Sequence, residues 1–346
     1  MSGKMNPRER WGLLLIDEFP DRPPVFPLVT AHSAKVQGIN LIEYSTNGIS
    51  LAESQLTAQR KYNHDGLSVF TDVGIIAEAM GSKYYLREFE VPILDEPVIK
   101  DTAQIGDLSV PDPGSKGRLP VYLEAIDRLY TAMGDILPVF AYIPCSFTTA
   151  AGLRGTEDFL MDTLISPESA HALLEISLTA AIKFCDACIL SGALPILVDP
   201  LASGSVISRK TYNEFAKPYQ QRLIKYLHRY DLDITLHICG DTAGMLDLIP
   251  ETGADLFSFD NVAVNVVSAT IGDQVRLVGN LPPHALLHSS EIDIPEYTTD
   301  IIVKGIGNPK GLVISTGCEV PILCDDNKLS TMIKFGKSCS YEKVWR

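Results

Sequence analysis

Along the 346 residues, short runs of Val, Ile, Leu and Phe alternate with longer segments whose apolar positions recur at helical spacing. Eight such runs stand out as strands: "PPVFPLVT" (23–30), "GLSVFTD" (66–72), "ILPVFAYI" (136–143), "ALPILVDP" (193–200), "DITLHIC" (233–239), "ADLFSFD" (254–260), "QVRLVGN" (274–280) and "GLVISTGC" (311–318). Helical patterns separate them. "SPESAHALLEISLTAAIKFCDACIL" starts with Ser166 as N-cap and Pro167 at the first helical position. "SRKTYNEFAKPYQQRLIKYLHRY" is amphipathic, with a kink expected at Pro218, and "DTAGMLDLIPETG" reads as a short helix closed by Gly253.

Eight buried-looking strands alternating with helices predict a single α/β domain over 1–346, a (β/α)₈ barrel of the TIM type with an N-terminal helix. A doubly wound open sheet is the rival, but no Gly-rich phosphate turn follows the first strand. The stretch 73–135 is too long for one crossover. Its Pro-, Gly- and Asp-rich part, "VPILDEPVIKDTAQIGDLSVPDPGSKGRLP", predicts an ordered surface insertion with inserted helices and loops.

Composition narrows the functions. Hydrophobic residues make up 46% and charged residues 21%, which is ordinary for a globular protein. No secretory leader is legible, and no apolar run approaches the roughly 20 residues that span a bilayer, so the expectation is a cytoplasmic protein. A net charge of −14 argues against nucleic acid or an anionic membrane as partner. The seven cysteines, at 145, 185, 188, 239, 318, 324 and 339, form an odd and irregular set. In this setting they read as reduced core residues, metal ligands or nucleophiles, not as a disulfide framework.

In a barrel, chemistry gathers where the strands' carboxyl ends meet the following loops. The polar residues at those ends are Asp72, Asp199, His237 with Cys239, Asp260, Asn280 and Cys318; Cys145 lies just past its strand. Asp and Asn also form turns and caps after any strand. The His237/Cys239 pair carries more information, because residues two apart in an extended segment face the same way. With Cys318 from the eighth strand, an imidazole and two thiolates make a ligand set suited to Zn²⁺, leaving one position open. Asp260 is placed to fill that position at rest or to hydrogen-bond a ligand. Two thiolates donate more charge than the His/carboxylate sets of hydrolytic sites, which favours holding a substrate thiol as a nucleophilic thiolate and hence alkyl transfer to sulfur.

Other patterns carry less. Cys185 and Cys188 form C-x-x-C late in a helix, without a second pair, and read as small apolar residues. His284 and His288 in "HALLH" lack the Glu of a zinc-protease motif and read as solvated or capping groups. Cys145 and Cys324 fall in loops near the mouth, and Cys339 in the terminal helix.

The whole chain resembles the uroporphyrinogen decarboxylase superfamily, and within it the cobalamin-dependent methyltransferases. The resemblance runs from "NPRERWGLLLIDEFPDRPPVFPLV" through "GRLPVYLEAI", "LHICGD", "ETGADLFSFD", "VRLVGN" and "STGCEVP" to "DDNKLSTMIKFG". It implies a (β/α)₈ barrel. The decarboxylases carry an R-Q-A-G-R segment near the first strand, where this chain reads "TAHSAKVQGI"; a Gly-His near the last strand, where it has Gly317-Cys318; and a tyrosine after the third strand, where "SFTTAAGLRG" has small residues. Asp72 in "VFTDV" resembles their catalytic aspartate. The methyltransferase branch has an H-x-C…C zinc motif, matched by His237, Cys239 and Cys318, and an acidic residue near the zinc after the sixth strand, where Asp260 stands in place of glutamate. The resemblance thus implies a methyl transfer between a corrinoid, either free methylcobalamin or one carried by a partner protein, and a thiol or other methylated compound. The alternatives are a decarboxylase-like lyase acting on a tetrapyrrole and a non-catalytic zinc-storage module.

Overall fold

A computed structural model describes residues 5–341. Among these, seven strands form one parallel sheet in chain order: β1 (Leu67–Val69), β2 (Val139–Pro144), β3 (Leu194–Val198), β4 (Thr235–Ile238), β5 (Leu256–Phe259), β6 (Arg276–Leu281) and β7 (Leu312–Thr316). Helices cover its outer face, and the sheet curls into an α/β barrel of the TIM type. All but one of the predicted strands are present, with their ends shifted by one to three residues.

The first predicted strand is the correction. Residues 23–30 do not form a regular strand; they meet the end of β7 through two isolated bridges, Val25 with Ile314 and Leu28 with Glu319. The reason is local chemistry. Pro23, Pro24 and Pro27 have no N–H to give a ladder. The remaining donors are used: Phe26 N–H donates to Ile314 O (2.8 Å), and Ile314 N–H donates to Pro24 O (2.9 Å).

The seam between this segment and β1 is closed by Asp65. Its amide donates to Val25 O at 2.9 Å, and its carboxylate accepts from the Val25 amide at 2.8 Å. Arg22 grips both carboxylate oxygens, at 2.6 and 3.0 Å. Burial alone would push this carboxyl's pKa up, but Arg22 and the neighbouring Lys337 hold it below the usual carboxylate value.

The amino-terminal end of the barrel is plugged. The helix Pro7–Leu15 begins with a capping box between Asn6 and Glu9 and directs Trp11 inward. Trp11 packs against Phe26 (centroids 5.9 Å apart) and Phe140 (5.1 Å), and its indole N–H donates to Asp65 O at 2.8 Å. The aromatic core therefore fills the bottom and leaves the mouth for chemistry.

Two predicted helices take different forms. Before Pro218 the chain makes a π-helical turn, Tyr212–Ala216, between Arg209–Thr211 and the helix Lys217–Leu227. The wider turn accommodates a proline that has no N–H for the preceding carbonyl. The segment after β4 is a pair of short 3₁₀ turns, Ala243–Leu248 and Pro250–Thr252, ended by Gly253 at φ +83°. The long helix runs Pro167–Leu190 as its start signals predict, although the Ser166 hydroxyl bonds the Ser169 hydroxyl and not the helix backbone.

The stretch 73–135 holds a short helix, Ile75–Ala79, an antiparallel hairpin of Lys83–Tyr85 with Ile93–Glu96, a 3₁₀ turn Thr102–Asp107, and the crossover helix Leu119–Met133. No helix of the described residues is long and apolar enough to cross a membrane.

Replacing Asp65 by alanine would leave Arg22 buried without its partner and cut the tie to Val25. We expect Asp65→Ala to cost about 3–5 kcal/mol of stability, read from urea unfolding midpoints. A loss below about 1 kcal/mol would show that the seam is held by something else.

Candidate metal centre at the barrel mouth

His237 lies in β4, in register with Val198 of β3 and Ser258 of β5. Cys239 follows one residue past the strand, and Cys318 stands two residues past the end of β7. The imidazole Nε2 is 2.9 Å from the Cys239 sulfur, and that sulfur is 3.0 Å from the Cys318 sulfur. The three donor atoms all lie within 4.8 Å of one another, a grouping that could hold one metal ion after small side-chain adjustments. His237 is buried and both cysteines are half-buried.

Ser258 sits behind the histidine, its hydroxyl 2.8 Å from Nδ1. With Nδ1–H donating to Ser258, the Nε2 lone pair faces the sulfurs, the tautomer that a metal requires. The sequence reading missed this residue because "FSF" carries no metal signature. The two thiols are electrostatically coupled. The hydrogen bond from Cys239, with His237 nearby, lowers the pKa of Cys318, while the Cys239 thiol is pushed up by the same contact and by burial.

Glu319 is the second missed residue. After β7 ends at Thr316 the chain leaves the extended conformation, so Cys318 and Glu319 both line one cavity and not opposite faces. Glu319 accepts a hydrogen bond from the Thr30 hydroxyl. Burial, followed by the negative charge of Cys318, pushes its carboxyl up to about 7. The cavity holds about 230 Å³, and its remaining walls come largely from Leu28, Phe70, Val73, Tyr142 and Val198.

The other strand-end polar groups surround this cluster without joining it. Asp260 accepts from the Gly240 amide at 3.1 Å, and burial raises its pKa. It packs so tightly on Gly317 that a Cβ there would lie 2.6 Å from its carboxylate. Asn280 gives its amide to Asp260 O (2.6 Å) and Val262 O (2.7 Å), pinning the loop after β5. Asp72 is held by Arg118 Nη1 at 2.7 Å and by the Gly74 amide at 2.9 Å, while Arg118 Nε also binds Glu78 at 2.6 Å.

Asp199 is fully buried. It accepts from the Thr148 amide (3.0 Å) and hydroxyl (2.7 Å) and from the Gln220 carboxamide (2.8 Å), which ties the end of β3 to two helices. Burial pushes it up to about 6. Cys145, Cys185 and Cys188 are buried in the core, and burial raises their thiol pKa values. Cys324 is also buried, and Cys339 caps the terminal helix Asp326–Ser338 from just outside it. His284 and His288 are exposed on the short helix Pro283–His288.

A depressed Cys318 pKa has a direct consequence. Ordinary thiols lose about tenfold in alkylation rate for each pH unit below about 8.5, whereas Cys318 keeps its thiolate as pH falls through neutrality. In metal-free protein at pH 6–6.5, iodoacetamide should label Cys318 first, as read by peptide mass spectrometry. Labelling led by Cys324 or Cys339 would contradict the coupling described above.

The chain is similar to known proteins in sequence and in fold. A family profile described as Uroporphyrinogen decarboxylase (URO-D) matches residues 7–339. The chain is 31% identical, over 72% of its length, to a methylated-thiol–coenzyme M methyltransferase of Methanosarcina mazei. It is 27% identical, over 66% of its length, to the methylcobamide:CoM methyltransferase MtbA of Methanosarcina acetivorans. The matched part spans 66% of each of these two relatives, just under two thirds of their length. Among solved structures, a methyltransferase from Methanosarcina mazei superposes with a TM-score of 0.89 at 21% identity, covering 97% of this chain and 99% of that one.

Proposed function

The chain belongs to the uroporphyrinogen decarboxylase family, and within it we propose a zinc-dependent methyltransferase that moves a methyl group between a corrinoid and a thiol or related methyl compound. The observation that carries this reading is the meeting of His237, Cys239 and Cys318, whose donor atoms lie within 4.8 Å of one another. An imidazole and two thiolates suit zinc, and three protein ligands leave a place for a substrate atom. Bound there, zinc supplies a Lewis-acid position at which a substrate thiol is deprotonated and stays nucleophilic. The similarity to relatives named as methylated-thiol and methylcobamide:CoM methyltransferases supports the corrinoid side of the reaction.

The chain's own residues divide the remaining work. Ser258 fixes the His237 tautomer. The apolar walls of the cavity keep water from the reacting sulfur. Asp260 holds the Gly240 amide and so fixes the turn that carries Cys239, while Asn280, Asp72 and Asp199 hold the loops that frame the mouth. A corrinoid, as free methylcobalamin or on a partner protein, approaches from the open mouth, and the setting is cytoplasmic. A decarboxylase-like lyase is the second reading. Asp72 favours it, but that carboxylate is already paired with Arg118, and the arginine-rich segment is absent.

Purified protein should contain zinc in a stoichiometric amount and demethylate methylcobalamin with a thiol acceptor, followed by the cobalamin colour change. Cys239→Ala and Cys318→Ala should lose both metal and activity. Ser258→Ala should keep the fold but weaken zinc binding about 10–100-fold, measured by chelator competition. A metal-free Cys239→Ala protein with full activity would end this reading.

A further inference from the structure

We infer that the non-corrinoid substrate of this site is a small uncharged sulfur or methyl compound, not an anionic thiol bearing a sulfonate or carboxylate. The inference rests on the methyl-transfer reading above and adds the chemical class of the substrate. It starts from the walls of the cavity that Cys239 and Cys318 face. Leu28, Phe70, Val73, Val198 and Pro200 give it aliphatic and aromatic surface, and among the described residues no lysine or arginine lines it. Arg118, the buried cation beside Asp72, is taken up by two carboxylates, those of Asp72 and Glu78.

The charge balance points the same way. A divalent ion held by two thiolates, a neutral imidazole and the substrate's own thiolate would carry a net negative charge, with nothing to offer a second anionic group on the substrate. The acidic group in the wall is Glu319, a carboxyl group. A sulfonate or carboxylate entering this space would give up its hydration without gaining a cation, since buried anions require a paired cation or several donors. Apolar surface imposes no such cost on an uncharged thiol, thioether or methyl ether. The polar contact on offer is also of a neutral kind. Tyr142 is among the cavity's lining residues, and its hydroxyl, buried beside Ser68, has no hydrogen-bond partner of its own. The volume of about 230 Å³ sets the scale: a small molecule, with the far larger corrinoid kept outside.

Cobalt(II) substituted at the metal centre gives a readout independent of turnover, because a bound thiolate adds sulfur-to-cobalt charge-transfer absorption. Titrations with ethanethiol and 2-mercaptoethanol should give dissociation constants at least tenfold lower than titrations with 2-mercaptoethanesulfonate and 3-mercaptopropionate. Val73→Lys, which places an ammonium at a half-buried position of the wall, should recover at least tenfold in sulfonate affinity with metal content unchanged. Sulfonate binding as tight as that of the uncharged thiols in the unsubstituted protein would overturn the substrate class and leave the transferase reading standing. A cobalt-loaded protein whose spectrum responds to no thiol of either kind would overturn both.

Discussion

Everything at the mouth depends on the curvature of the sheet. β4 and β7 are three places apart in it. In a flat sheet, at about 4.8 Å per step, their ends would lie about 14 Å apart, beyond the reach of any shared ligand. Here the sulfurs that follow them lie 3.0 Å apart. Curling brings the strand ends round to face a common centre, and it lasts only if the edge strands are closed on each other. That closure falls on the irregular segment 23–30, which bridges β7 on one side and is joined to β1 on the other through Asp65. The cluster of His237, Cys239 and Cys318 at the top of the barrel is therefore tied to an ion pair on its flank, between Arg22 and Asp65.

The same dependence explains which parts were legible in the sequence. Seven strands follow from β-branched runs bounded by turn residues, because each is buried and its pattern is local. The first run, 23–30, has the apolar content of a strand, but three prolines strip its donors, so pattern and hydrogen bonding disagree. His237 and Cys239 are legible as a pair because spacing within a strand is a local property. Cys318 becomes their partner only once a barrel is assumed, which makes the site as readable as the fold. Glu319 was hidden by the same rule that exposed the pair: strict alternation would turn it away from Cys318, and the chain leaves the extended conformation before that rule applies.

The strand-end carboxylates show a further limit. Asp72, Asp199 and Asp260 look alike in sequence, each a single acid after an apolar run. Their environments separate them. Asp72 is neutralised by Arg118, which lies 46 residues away; Asp199 accepts from Thr148 and Gln220 in full burial; Asp260 holds one backbone amide next to the cluster. What distinguishes them is the partner each meets, and partners come from distant parts of the chain that no local pattern specifies. Each nonetheless fixes a loop at the mouth. Side chains that touch no ligand can still decide whether three donors stay within bonding range, because a displacement of about 1 Å is enough to lose a coordination bond.

The filled bottom of the barrel constrains the order of events on the methyl-transfer reading. Trp11, Phe26 and Phe140 close the amino-terminal end, so a ligand reaches the cavity from the side of the strands' carboxyl ends. Two molecules then have to share one approach. The smaller fits within the apolar cavity against Cys239 and Cys318, whereas a corrin ring is far too broad for about 230 Å³ and can only stand over it. A corrinoid seated first would cover the way in for its partner. On that reading, the geometry favours entry of the small substrate first, and a corrinoid bound afterwards would cover the cavity's mouth.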